Sequence, residues 1–303
     1  MKFSIVINNY NYASYLPNAI ESVLNQTYQN FELIIVDDAS RDGSSAIIEA
    51  YAQTNAYIIP VLLQTNSGQA HALNEGVAKA DGDIICFLDS DDWFYPKKLE
   101  TLKRYFETTN ALYIHHNHTT MHNECEVSDA LKHFPYEGHS SFLIYYLSHY
   151  VGNICSTLSI RKEVANKIFP LPFCDQWRIQ ADDLIVFQAA MFYKALFIHE
   201  PLTYYRIHNC NGYFGKVLSS SAKYQLLQKR NRVKDFTCKR LELPQLFFKN
   251  TYNLLAEWNT YTYVDWKLAK LYLRILWYEM STPFCAKIIS SYYILKSLYK
   301  GLL

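Results

Sequence analysis

"CFLDSDDWFYPKKLE" runs from Cys86 to Glu100, and its first half decides the fold. An apolar run, Ile84 to Leu88, empties directly into Asp89-Ser90-Asp91-Asp92. Three carboxylates within four residues repel one another unless water, a cation or a cationic partner screens them. A buried strand that ends this way needs a reason for the crowding.

The residues before it supply the context. Phe3 to Ile7 reads as a first buried strand, and a helix follows with Ser14 as its cap and Leu16, Ile20, Val23 and Leu24 at helical spacing. "FELIIV" (31–36) is a second strand that ends at Asp37-Asp38. "SRDGSSAIIEAYA" turns into another helix, and "YIIPVLL" is a third strand. Residues 69–80 are helical in pattern, and 84–88 form a fourth strand. Strands alternating with helices of about 10–15 residues imply an α/β fold with a mostly parallel sheet and helices on both faces. Ligands bind such sheets beyond the carboxyl ends of the strands. Asn8-Asn9-Tyr10, Asp37-Asp38 and Asp89-Ser90-Asp91-Asp92 each follow a strand, so three polar clusters converge on one rim. Asp92, beside Trp93, is expected to cap the turn into "PKKLETLKRYF".

The whole chain has 303 residues, half of them apolar and 19% charged, which is globular composition. Its 26 tyrosines promise many rings with a polar tip. Seven scattered cysteines, with no C-x-x-C pair, fit reduced thiols better than a disulfide framework or a zinc site. Met1-Lys2 leads straight into a strand, so no secretory leader is expected. No run reaches the ~18 apolar residues of a membrane-spanning helix. A cytoplasmic location follows as the expectation. The net charge of +1 hides an asymmetry: residues 1–215 carry a balance of −9 and residues 216–303 a balance of +10. This marks 1–215 as one domain, divided at 104/105, and 216–303 as a basic, aromatic-rich helical region.

A carboxylate-rich rim repels a bare phosphate, so an anionic ligand there requires a bridging divalent cation. Mg²⁺ or Mn²⁺ takes oxygen ligands from one or two Asp side chains and a diphosphate. Neither G-x-G-x-x-G nor G-x-x-x-x-G-K-[ST] is present, which excludes the dinucleotide fingerprint and the P-loop.

"SIVINNYNYASYLPNAIESVLNQTYQNFELIIVDDASRDGS", followed by "NSGQAHALNEGVAKADGDIICFLDSDDWFYPKKL", resembles the nucleotide-sugar half of family 2 glycosyltransferases of the GT-A fold. The resemblance is dense over 2–104 and resumes at 152–212 with "WRIQADDLIVFQAAMFYKALFIHEPLTYYRIHNCN". It implies an inverting, metal-dependent transfer of a sugar from a nucleotide diphosphate, a UDP-sugar by expectation, to a hydroxyl of a saccharide or lipid-linked saccharide, in building a bacterial surface polysaccharide. By the same resemblance Tyr10, with Asn8 beside it, matches the aromatic residue against the base. Asp38 matches the carboxylate that accepts from the base ring N–H. Ser67, Gly68 and Asn74 match positions near the ribose and diphosphate. Asp89-Ser90-Asp91 matches the D-x-D, with Asp91 a direct metal ligand and Asp89 bound to ribose or metal water. His208 matches a residue closing over the metal, and Arg206 one supporting the leaving group or the loop itself. The base, usually the Asp of a Glu-Asp pair opening a helix, falls on Asp182, with Asp183 in reserve, because Ala181 stands where the Glu is usual.

Other readings compete. A nucleotidyltransferase would carry a glycine-rich basic loop where this chain has "NNYNYASY". A degenerate nucleotide-sugar-binding module would keep the fold without the chemistry. "IHHNHTTMH" (114–122) places His116 and His118 on one strand face, which zinc sites use, but a polar patch near the acceptor suits it better. From Ser219 onward the pattern is helical, with Lys/Arg beside Leu, Ile, Tyr and Trp. Those helices either pack back with solvated basic faces or lie on the inner face of the plasma membrane. No nucleic-acid motif is present, and the acidic 1–215 part argues against nucleic acid as a partner.

Overall fold

The computed structural model describes residues 1–122, 125–127, 136–209, 211 and 217–300. The chain forms two compact units. One holds Met1–His133, Gly152–Ile185 and Phe197–Val217; the other gathers Phe134–Val151, Val186–Leu196 and Leu218–Leu303.

The first unit is built on a mixed sheet. Its strands are β1 (Phe3–Asn9), β2 (Phe31–Asp37), β3 (Ile58–Leu62), β4 (Ile84–Asp89), β5 (Trp93–Phe94), β6 (Tyr113–His122), β7 (Cys125–Glu126), β8 (Ser159–Arg161) and β9 (Ala195–Ile207). Their order is β3-β2-β1-β4-β8-β6-β9-β5, with β7 on β6. The β3-β2-β1-β4 half is parallel, as the alternation of strands and helices requires. β8 then pairs antiparallel to both β4 and β6. Phe3 through Ile7 and Ile84 through Leu88 are buried, because crossover helices cover both faces and leave no solvent side for polar alternation. β3 is the edge strand of the parallel half, and it carries Pro60 there.

The helix Gln69–Lys79 lies tight on this sheet: a Cβ added at Gly76 would stand 2.4 Å from Val6 Cγ1. That close approach fixes where the helix begins, at the rim. The first helix, Leu16–Leu24, buries Leu16, Ala19, Ile20 and Val23. Its cap position is Tyr15, with no side-chain cap, rather than Ser14. Ser14 falls inside a turn that closes when the amides of Tyr15 and Leu16 both donate to Tyr12 O, at 2.9 Å each.

The second unit is helical: Ser141–Leu147, Ser220–Arg240, Gln245–Phe248, Thr251–Trp258, Trp266–Arg274, a π turn at Ile275–Glu279, and Phe284–Lys300. Ser219, Asn250 and Asp265 cap three of them by accepting from the amides of Ala222, Tyr252 and Leu268. At its centre lies a buried carboxylate. Glu257 accepts from the amide of Phe142 at 2.9 Å, the hydroxyl of Tyr272 at 2.5 Å and the hydroxyl of Ser141. It therefore caps the Ser141–Leu147 helix from outside, and burial pushes its pKa up. Among the described residues no helix is long and apolar enough to cross a membrane.

Candidate functional site

The parallel strands deliver their polar ends to one level. Asn8 of β1 lies opposite Asp89 of β4, and Asn9 lies opposite Asp37 of β2. The amide of Asn9 donates to Asp37 Oδ1 at 2.7 Å, and Ser40 Oγ donates to the same oxygen at 2.6 Å. Asp38 grips the neighbouring loop: its two oxygens accept from the backbone N–H of Ser67 (2.7 Å) and Gly68 (2.6 Å). Gly68 sits at φ +92°, and a Cβ there would meet Arg178 Cα at 2.6 Å. Only glycine suits that close passage.

Asp89 is the electrostatic centre. Burial, then the charges of Asp91 and Asp182, push its pKa up to about 7, against hydrogen bonds from Asn8 and Gln69 that lower it. Gln69, the first residue of its helix, donates from Nε2 to Asp89 Oδ1 at 3.0 Å and accepts at Oε1 from the amide of Ala181 at 2.9 Å. One side chain thus joins the mouth of β4 to the start of the helix Asp182–Ala190. Asp182 and Asp183 occupy the first turn of that helix, where its dipole favours negative charge. Asp182 is half-buried, whereas Asp183 is buried.

The other two acids of the cluster have separate partners. Asp91 Oδ2 lies 3.0 Å from His208 Nε2 and 3.4 Å from Asn211 Nδ2. The His208 ring is stacked on Tyr15 at 4.7 Å and meets the edge of Tyr12 at 5.5 Å, so its direction is set. Asp92 does not cap the following helix. Its carboxylate accepts from Ser156 Oγ at 2.6 Å and from the Arg206 amide at 3.0 Å, and burial holds its pKa well above the usual carboxylate range. The helix Lys98–Thr108 has Lys97 at its cap position with no side-chain bond.

Ser156 is the post behind the cluster. Its hydroxyl also accepts from the Asp89 amide at 3.0 Å, and its carbonyl accepts from Lys98 Nζ (2.7 Å) and Thr203 Oγ1 (3.0 Å). Lys98 is wholly buried over the Phe94 ring, and desolvation brings its pKa down to about 7.

The structure therefore brings Asn8, Asp89, Asp91, Asp182 and His208 into one cluster, with Ser67, Gly68 and Asp38 in the adjoining loop. Tyr10 stands at the rim, 43% exposed. Ser90 is buried, and neither its Oγ nor Asn8 Oδ1 has a hydrogen-bond partner among the described residues. Two buried polar atoms unsatisfied at one strand mouth are what a ligand site presents. Three expected residues have partners within the protein. Asn74 is tied to Leu171: its side-chain amide donates to Leu171 O (3.1 Å) and accepts from Leu171 N (2.6 Å). Arg206 is a clamp, donating to Asp91 O (3.0 Å) and Asn18 Oδ1 (3.0 Å) over the rings of Trp93 and Tyr15. Asp38 holds backbone amides with both oxygens. Gln69, Ser156 and Lys98 escaped the sequence reading.

Among the described residues no group of three or more His, Cys, Asp or Glu is placed to hold a metal. The His-rich β6 has His115, His116 and His118 buried; the His116 ring bonds to Asn117 O, and burial lowers its pKa well below the usual value. Glu124, which follows that stretch in the sequence, lies outside the described residues. At the rim, Asp91 and His208 form a facing pair of donors. Such a pair fits Mg²⁺ or Mn²⁺, which use one or two protein ligands and complete their shell with substrate phosphates.

A sequence profile of Glycosyl transferase family 2 matches residues 4–169, more than half of the chain. A glycosyltransferase of Nostoc sp. is 36% identical over 224 residues, 73% of this chain and 69% of that protein. The glycosyltransferase TuaG of Bacillus subtilis, given a provisional place in teichuronic acid biosynthesis, is 40% identical over 97 residues, 32% of this chain and 38% of that protein. Among solved structures, S. aureus TarS 1–349 in complex with UDP-GlcNAc matches with a TM-score of 0.59 at 17% identity, covering 99% of this chain and 92% of that one. That likeness shows the fold, the GT-A type with additional C-terminal helices. The profile match and the long relative show the family. The chain belongs to glycosyl transferase family 2 and is a glycosyltransferase.

Proposed function

We propose that this glycosyltransferase moves a sugar from a nucleotide diphosphate, a uridine donor, to a hydroxyl of a saccharide or lipid-linked saccharide, with inversion and with a divalent cation. The observation that carries the reading is the cluster at the β4 mouth. Burial, then the charges of Asp91 and Asp182, raise the pKa of Asp89 to about 7, and Asp91 faces His208 at 3.0 Å. A cation with a diphosphate relieves that crowding.

Asp91 and His208 would hold Mg²⁺ or Mn²⁺ together with the donor's diphosphate oxygens. When bound, the cation stabilises the charge that develops on the leaving diphosphate. Asn8 Oδ1 and Ser90 Oγ, buried and unsatisfied, offer the neighbouring polar contacts. Tyr10, exposed at the rim, offers a face to the base. Asp38, Ser67 and Gly68 shape the loop beside it. Asp182 takes the proton of the acceptor hydroxyl as that oxygen bonds to the anomeric carbon; the bond from that carbon to the diphosphate oxygen breaks, and its electron pair leaves with the diphosphate. Asp182 suits this role better than Asp183, because it is the less buried of the two and its charge reaches Asp89. The place of TuaG supports a cell-surface polysaccharide as the product, and the UDP-GlcNAc complex of TarS supports a uridine donor.

The test is calorimetric titration with UDP, GDP, CDP and dTDP, each with Mn²⁺ and again with EDTA, on the wild type, Asp91→Asn and Asp182→Asn. UDP is expected to bind only with metal. Asp91→Asn weakens that binding; Asp182→Asn keeps it and abolishes transfer. Transfer by Asp182→Asn at the wild-type rate would sink the base assignment, and no nucleotide binding by folded protein would sink the donor site.

A further inference from the structure

The last helix of the second unit turns much of its apolar surface outward. In Phe284–Lys300 the inward face carries Ser290 and Ile294, both buried, and half-buried Ser297, whose Oγ accepts from Trp258 Nε1 at 2.9 Å. Its outward positions carry Phe284, 66% exposed, and the exposed pairs Ile288/Tyr292 and Ile289/Tyr293, each at i, i+4. A helix normally turns such residues inward. Here Ser290 and Ile294 face the unit, while Phe284, Ile288, Ile289, Tyr292 and Tyr293 face solvent.

The helix Trp266–Arg274 and the π turn that continues it show a second outer stripe. Trp266, Lys270, Arg274 and Tyr278 recur every fourth residue and are all exposed, Tyr278 to 84%. The two stripes meet at Trp277. Its ring touches the Phe284 ring at 5.7 Å, its Nε1 donates to Ser291 Oγ at 2.9 Å, and Lys287 Nζ donates to its carbonyl at 3.1 Å. Residues 266–300 contain six Lys/Arg and one acid, Glu279.

That combination selects the occupant. A second copy would bring the same positive stripe against itself, and like charges facing one another oppose association. A neutral apolar partner would leave the cations without a counterpart. An anionic bilayer satisfies both halves: its interface takes Trp, Tyr and aliphatic side chains, and its headgroups attract Lys and Arg. We propose that the outer faces of Trp266–Glu279 and Phe284–Lys296 seat this glycosyltransferase on an anionic lipid surface. The proposal goes beyond the transfer chemistry and stands or falls separately from it.

The test is flotation of the full chain with vesicles of phosphatidylcholine alone and of phosphatidylcholine with one quarter phosphatidylglycerol, at low salt and at 0.5 M NaCl. Binding to the anionic vesicles at least tenfold tighter than to the neutral ones, weakened by salt, is expected. Two variants are compared, Ile288→Ser/Tyr292→Ser and Lys270→Glu/Arg274→Glu, each checked for an unchanged circular-dichroism melt. Each is expected to lose at least tenfold in anionic-vesicle binding while UDP binding stays the same. Because one variant keeps the apolar stripe and the other the basic one, a folding defect in either leaves the other decisive. Equal binding to both vesicle types overturns the proposal. So does absence of vesicle binding, whether the protein sediments as a monomer or as a dimer that Ile288→Ser/Tyr292→Ser dissolves.

Discussion

Gln69 and Asp89 are joined at 3.0 Å, and the same Gln69 accepts from the amide of Ala181 at 2.9 Å. An uncharged amide therefore sets the distance between the carboxylate cluster at β4 and the residue that precedes the proposed base. Gln69→Ala removes both bonds and leaves the helix Asp182–Ala190 free to shift. A displacement of about 1 Å at a reacting group costs on the order of a hundredfold in rate. Gln69→Ala is expected to lower kcat by about ten- to a hundredfold, with UDP affinity in Mn²⁺ little changed. Steady-state kinetics beside calorimetry separates the two. An equal loss in both would place Gln69 in donor binding instead.

The raised pKa of Asp89 has a stability consequence of definite sign. Folded protein without metal holds a proton there up to about pH 7, whereas an unfolded chain releases it near pH 4. The folded state binds more protons between those values, so this group makes stability fall as pH rises from about 4 to about 7, with the full loss present above. Asp89→Asn is expected to flatten that slope and to raise the metal-free melting temperature at pH 8, by about 2–4 °C per kcal/mol recovered. Mn²⁺ with UDP is expected to raise the wild-type melting temperature more at pH 8 than at pH 6. A slope unchanged in Asp89→Asn would assign it to another group.

Gly68→Ala tests the loop that Asp38 holds. The new methyl group would stand 2.6 Å from Arg178 Cα at φ +92°, so backbone must move. A cost of about 1–3 kcal/mol in stability is expected, together with weaker UDP binding, because the amides of Ser67 and Gly68 shift with it. Urea unfolding and nucleotide titration read the two effects.

Glu257 offers a test remote from the chemistry. Glu257→Ala strips acceptors from the Phe142 amide and from the hydroxyls of Ser141 and Tyr272. Buried donors left without acceptors are costly, and about 3 kcal/mol or more is expected from the urea midpoint. Glu257→Gln retains an acceptor oxygen and is expected to lose less than half of that. Equal losses would mean that packing, not hydrogen bonding, carries the site.

The parallel half of the sheet was legible because each piece is local. A buried strand is an unbroken apolar run, a crossover helix has its own period, and the observed bounds of β1, β2 and β4 run at most two residues past the sequence reading. The antiparallel half was not legible. Cys86 pairs with Ser159 and Tyr113 with Ile160, contacts that no window of sequence contains. For the same reason residues 134–151 and 186–196 gave no sign that they belong with the C-terminal helices. Gln69 escaped because its partners lie 20 and 112 residues away. Lys98 did leave a trace: it falls on the stripe of Leu102 and Phe106, the buried face of its helix. A charged residue on such a stripe signals a specific internal partner, here Ser156 O and Thr203 Oγ1.

The braces behind the carboxylates are internal to the fold. Ser156 fixes Asp89 and Asp92 from behind, and Arg206 and Lys98 close the ring, each bond made between atoms of the protein itself. A substitution at the rim that spares these braces therefore leaves the spacing of the carboxylates in place.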